Sequence, residues 1–171
     1  MAGLKTGNMF CCRVKNKSEL YSTIRSFNSR LVPKGVRFLP LRYKGGRALI
    51  YMYRPDRLDR DLKLEQARNI LHDRKYPVNS PELCILELMR RIKSQDEFPH
   101  EIGLFLGYPP EDVCGFIDNK AAGAKCVGAW KVYGDEAKAK RAFSSYKKCT
   151  EAYQNAYKRH KSFDRLVVSL Q

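Results

Sequence analysis

Side chains able to do chemistry gather first in Phe98–Ile117, which carries three glycines, three prolines, four aromatics and the pair His100-Glu101 within 20 residues. A plain core helix has no use for that mixture, so a shaped turn or a site is expected. After Pro99, His100 falls in the first turn of a helix. There the helix dipole disfavours imidazolium and leaves a neutral ring suited to act as acid, base or ligand. Glu101 faces another direction and forms no dyad with it. Gly103 would let a ligand or another backbone come close. The competing account is a packed histidine beside a packing glycine.

A second group lies around the sole tryptophan, in Cys126–Asp135. Read as a strand, it puts Trp130 on one face and Lys131 and Tyr133 on the other. Lys5, Arg42, Tyr53 and Arg54 belong on or near neighbouring strands. Cations interleaved with tyrosine and tryptophan suit a planar anion, such as a nucleotide, a flavin phosphate, a tetrapyrrole or a nucleic-acid strand. An aromatic-rich sheet with a solvated rim would show the same residues.

Other chemistries find less support. The 98–117 segment fits the spacing of a helix-turn-helix. Its would-be recognition helix, however, opens Pro110-Glu111-Asp112 and has no Arg or Lys before Lys120, so it lacks the donors that base reading needs. It reads as a helical hairpin used for packing. His100, Cys114 and Cys126 match no standard zinc spacing, and no metal is expected. Neither phosphate-loop, dinucleotide, zinc-protease nor serine-hydrolase motifs occur, so the sequence names no reaction and no cofactor.

The elements that must position these residues follow from periodicity. Asn8–Val14 reads as a strand. Asn16-Lys17-Ser18-Glu19 resembles a capping box ahead of a helix on Leu20, Ile24, Phe27 and Leu31. Val36–Tyr43 and Arg47–Arg54 are strands around Lys44-Gly45-Gly46, a hairpin turn. Alternating apolar residues in the second strand predict cover on both faces. Leu58–Arg74 reads as one helix and Pro81–Lys93 as the next, with two short helices in 98–119. Lys125–Tyr133 is expected as a strand, Asp135 as the cap of a helix to about His160, and Asp164–Leu170 as a final edge strand. The expected fold is α+β: a ferredoxin-like βαββαβ antiparallel sheet with helices on one face and a helical insertion over 56–120, in a single domain of residues 1–171.

Charge divides along the same lines. The chain is +15 overall. Residues 1–60 hold 14 Lys+Arg against 3 Asp+Glu, residues 61–130 hold 9 against 11, and residues 131–171 hold 10 against 4. The basic ends would make the sheet layer and the neutral middle the insertion. Such a field attracts nucleic acid, anionic cofactors or acidic protein surfaces. No run of about 18 apolar residues appears, so no membrane span is expected. Met1–Phe10 lacks the apolar block of a secretory signal. With Cys11-Cys12 adjacent and the other four cysteines scattered, reduced thiols and a cytoplasmic location are expected.

Several words of the sequence also resemble a family of small proteins of clostridial-type gut bacteria known only as a domain of unknown function. They are Gly3-Leu4-Lys5, Pro33–Arg37, Leu39–Arg42, Tyr53-Arg54-Pro55, Phe98–Pro109, Asp112-Val113, Gly115-Phe116-Ile117, Trp130–Asp135 and Lys148-Cys149-Thr150. Members usually begin slightly upstream with a cysteine-alanine-proline stretch, and often carry more cysteines near Cys126. The resemblance implies a bacterial cytosolic protein and carries no activity with it. From the residues, the first expectation is a protein binding an anionic or aromatic small molecule or cofactor between the basic sheet and the 98–117 hairpin. Arg42, Arg54 and Lys131 would pair its charge, with Lys5, Glu101 and Gly103 nearby. Tyr53, Trp130 and Tyr133 would stack on it, and His100 would be its acid, base or ligand. The alternatives are RNA or single-strand binding by the basic sheet face, and docking of an acidic protein.

Overall fold

The computed structural model describes residues 2–94, 98–161 and 166–168. The first half builds a three-stranded antiparallel sheet from β1 (Gly7–Arg13), β2 (Arg37–Lys44) and β3 (Arg47–Tyr53), in the order β1-β3-β2. Helix α1 (Lys17–Leu31) connects β1 to β2 across β3. That split β-α-β arrangement is the first half of the expected ferredoxin-like order.

Local chemistry sets each boundary. Asn16 caps α1 by accepting the Glu19 N–H at 2.9 Å, and the Glu19 carboxylate reaches back to the Lys15 N–H at 2.8 Å. The box therefore closes on the residue before the cap rather than on the cap itself. Between β2 and β3, Gly45 and Gly46 have φ of 56° and 71°. Two successive left-handed residues make the tight hairpin turn that the strand twist favours.

Both faces of β3 are covered, as its alternation predicts. On one face Ala48 and Ile50 meet Leu20 and Ile24 of α1. On the other, Leu49, Tyr51 and Tyr53 meet the helices that lie between β3 and the next strand. These are α2 (Pro55–Leu62), α3 (Glu65–Asp73), α4 (Pro81–Ser94), α5 (Ile102–Phe105) and α6 (Pro110–Asp118). Leu58, Leu71, Leu88, Ile92, Leu104 and Phe105 fill that layer. Each such side chain contributes about 2 kcal/mol of transfer free energy. Tyr51 is fully buried here and its hydroxyl donates to the Phe105 carbonyl at 2.5 Å.

Three expectations are refined. The helix read as Leu58–Arg74 is two helices, because Leu64 takes an extended ψ of 132° between them. The strand read as Lys125–Tyr133 is a small hairpin, β4 (Cys126–Val127) against β5 (Lys131–Val132), outside the main sheet. Its turn holds Gly128, whose α-carbon lies against the Phe143 ring with no room for a Cβ. The expected edge strand Asp164–Leu170 lies mostly outside the described residues. Of its described part, Leu166 and Val167 are buried and neither is in a strand. Helix α7 (Glu136–His160) starts where expected, with the Asp135 carboxylate accepting the Lys138 N–H at 2.9 Å. Among the described residues, no helix is long and apolar enough to cross a membrane. All six cysteines are free thiols.

Candidate functional site

The sheet and the 98–117 segment meet through packed side chains, Tyr51 and Phe105 among them. The residues singled out in the sequence divide into separate groups.

Lys5, Tyr53 and Arg54 come together. They line a cleft of about 390 Å³ between the start of β1, the end of β3 and one face of α7. Helix α7 supplies Tyr146, Cys149, Thr150, Tyr153 and Tyr157, residues spaced three, four and seven apart so that they share a face. The cleft forms because Arg54 ends β3 and caps α2. Its own N–H donates to the Thr6 carbonyl at 2.9 Å, which holds residues 2–8 alongside. The Thr6 hydroxyl in turn donates to the Asp61 carboxylate on α2.

The electrostatics of this cleft are one-sided. The Lys5 ammonium is half-buried, lies 3.4 Å from the Asn8 side-chain oxygen and sits 5.8 Å from the centre of the Tyr146 ring. Among the described residues no carboxylate pairs with it. Burial pulls its pKa below the usual lysine value. Arg54 is only 5% exposed, and donates to the carbonyls of Lys34 at 3.2 Å and Val168 at 2.5 Å. Burial, with Arg57 nearby, lowers its pKa too, from a value so high that it stays charged. Burial raises the phenols of Tyr53, Tyr146 and Tyr153, so all three are neutral hydroxyls near neutral pH.

His100, Gly103, Trp130 and Lys131 line a second cavity, of about 370 Å³, between the 98–117 segment and the β4–β5 hairpin. Its walls are mostly apolar, with Phe98, Tyr108, Phe116 and Trp130 among them. His100 is exposed and meets the Phe116 ring edge-on, with centres 5.1 Å apart. Lys131 lies over the same ring at 5.8 Å and donates to the Ala121 carbonyl at 2.7 Å. Gly103 is a packing glycine, since a Cβ there would meet Val113 at 2.8 Å.

The remaining three lie elsewhere. Arg42 donates to the Ile92 carbonyl at 3.2 Å and stands 5.5 Å over the Phe98 ring. Glu101 is 1% exposed, where it accepts the Tyr76 hydroxyl at 2.9 Å and Arg91 at 3.0 Å. It ties the start of the 98–117 segment to α4 and to the residues after α3. Tyr133 packs its ring against Gly115 and donates its backbone N–H to Asp112 at 2.7 Å.

A family model described as "Protein of unknown function (DUF3793)" matches residues 1–167. The chain belongs to the DUF3793 family. No curated protein and no solved structure matches it.

Within this DUF3793 chain, the pattern reading missed two things. One is the role of Asp112, a 3% exposed carboxylate that organises the second cavity's wall by accepting Trp130, Tyr133 and Gly134. Only its place next to an acidic helix start was visible, which reads as a first-turn charge. The other is the α7 wall of the first cleft. Phe143, Tyr146, Tyr153 and Tyr157 share a face that reads first as an amphipathic packing stripe, with a groove lined by Tyr153 and Tyr157 as the lesser alternative, and both line the cleft. Among the described residues, no group of three or more His, Cys, Asp or Glu side chains stands where it could hold a metal ion.

Proposed function

We propose that the protein binds a small anion with an apolar or aromatic body in the cleft between the sheet and α7. Lys5 carries this reading: its ammonium is half-buried at the cleft wall, and among the described residues no carboxylate neutralises it. A charge held in a partly dry place is costly unless paired. A carboxylate, sulfonate or phosphate on the ligand supplies the pairing. Arg54 adds positive potential from the buried side, while Tyr53, Tyr146 and Tyr153 offer ring faces and neutral hydroxyls. A volume of about 390 Å³ is within the usual range for a small-molecule site. The role expected of His100 as acid, base or ligand belongs to the second cavity, so the first cleft is read as a binding site and not as a reaction centre.

The test is a fluorescence titration with 8-anilinonaphthalene-1-sulfonate, an anionic aromatic probe, and with uncharged N-phenyl-1-naphthylamine. Lys5→Met is expected to weaken the sulfonate about tenfold and leave the neutral probe nearly unchanged. Cys149→Trp, which fills the cleft, is expected to weaken both. His100→Ala is expected to change neither. Equal loss of both probes in Lys5→Met would remove the charge-pairing basis of the reading.

A further inference from the structure

The free end of the sheet has a feature that folding alone does not explain. Arg13 of β1, Arg47 of β3 and Lys44 of β2 are direct partners in the strand register. Partners across strands point to the same face, so three cations form one row across the whole sheet. All three are exposed. Like charges placed directly opposite destabilise a sheet, and among the described residues no carboxylate pairs with any of them. Among the described residues, the acid lining the hollow beside Arg13 and Arg47 is Glu19, which is engaged with the Lys15 N–H.

The row faces the same side as Leu49 and Tyr51 but lies beyond the helices that cover them. The next row inward holds Arg42 in register with Leu49. Its guanidinium stands 5.5 Å over the ring of Phe98, which is 42% exposed. A basic strip therefore runs across the sheet end and leads to an exposed aromatic ring.

We propose that this strip binds single-stranded nucleic acid, with Arg13, Lys44 and Arg47 on the phosphates and Phe98, steadied by Arg42, stacking on a base. Charge complementarity selects a polyanion, and the isolated ring selects unpaired bases, which alone offer a free face for stacking. The strip is separate from the Lys5 cleft and does not depend on that reading.

The experiment is fluorescence anisotropy with a labelled twelve-residue oligouridylate at several salt concentrations. The triple variant R13S/K44S/R47S is compared with K147S/K148S/K158S, which loses the same charge from α7. Each substituted residue is exposed, and removing the row's repulsion leaves the thermal midpoint unchanged or raised. The expected result is at least a tenfold loss at 100 mM salt for the first variant. Its slope of log affinity against log salt becomes shallower by about 2, as for three lost phosphate contacts. The α7 variant loses less than half as much. Phe98→Ala loses about tenfold with the slope unchanged, as for one lost base stack. Equal losses in the two triple variants would show attraction by net charge alone and overturn the proposal. So would absence of binding at 50 mM salt, equal binding of a duplex, or equal binding of a polyglutamate peptide of the same length.

Discussion

The Asp112 carboxylate accepts the indole N–H of Trp130 at 2.6 Å, joining α6 to the β4–β5 hairpin in a buried setting. Its other oxygen accepts the backbone N–H groups of Tyr133 and Gly134 at 2.7 and 2.8 Å. One side chain thus satisfies three donors, and the hairpin's two short strands alone would be too small to hold it.

Asp112→Ala leaves those donors unsatisfied and is expected to cost about 3 kcal/mol or more, where Asp112→Asn, which keeps one acceptor, costs less. Urea unfolding measures the loss. Trp130 is the only tryptophan, so its fluorescence reports this region directly. A change under about 1 kcal/mol in the alanine variant would show the hairpin to be held by other contacts.

Glu87 sets an acid limit on stability. Its hydrogen bonds from Arg90 and Arg91 hold its pKa at about 2, below its ordinary 4.5. A depressed carboxylate favours folding above its unfolded value and loses that contribution as pH falls through its folded value. Stability is therefore expected to decline between about pH 4.5 and 2, by about 2 kcal/mol from this group. Glu87→Gln should flatten that part of the profile, measured by urea unfolding at stepped pH.

Gly107 fastens the end of the 98–107 turn against the N-terminal segment. It has φ of 76°, and a Cβ there would meet the Thr6 hydroxyl at 2.7 Å and the Thr6 backbone nitrogen at 3.0 Å. Gly107→Ala faces both backbone strain and a close contact, and is expected to cost about 2–3 kcal/mol. Because Thr6 borders the Lys5 cleft, the same variant should also weaken probe binding there.

Lys5 links binding to pH. Its pKa in the free protein is lowered by burial. As pH rises through that value the ammonium is lost, so affinity for an anionic probe falls at a lower pH than for an ordinary lysine. Over the same window the unfolded chain holds more protons than the folded one, and stability without ligand rises with pH. Lys5→Met should remove both trends, measured by probe titration and thermal melts between pH 7 and 10.5.

Much of the fold was legible because its signals are local. The Asn16 cap, the Gly45-Gly46 turn, the alternation of Leu49, Tyr51 and Tyr53, and the Asp135 cap each act within a few residues, and each stands where the pattern put it. The break at Leu64 and the folding back of Cys126–Val132 were not legible, because tertiary partners decide them; Phe143, fifteen residues downstream, presses on Gly128. The candidate site was legible in part for the same reason. Tyr53 and Arg54 are adjacent, and Lys5 is brought beside them by the bond from the Arg54 N–H to the Thr6 carbonyl, just ahead of the Gly7–Tyr53 strand pair. Glu101 read as a residue beside the ligand because its partners, Tyr76 and Arg91, lie 25 and 10 residues away.

The most direct test of the central claim is an amide chemical-shift titration of the isotopically labelled protein with 8-anilinonaphthalene-1-sulfonate. The largest shifts are expected on Lys5–Asn8, Met52–Arg54 and the Tyr146–Tyr157 face of α7, and are expected to vanish in Cys149→Trp. Shifts centred on Phe98–Gly103 and Gly128–Lys131, or persisting undiminished in that variant, would contradict that claim.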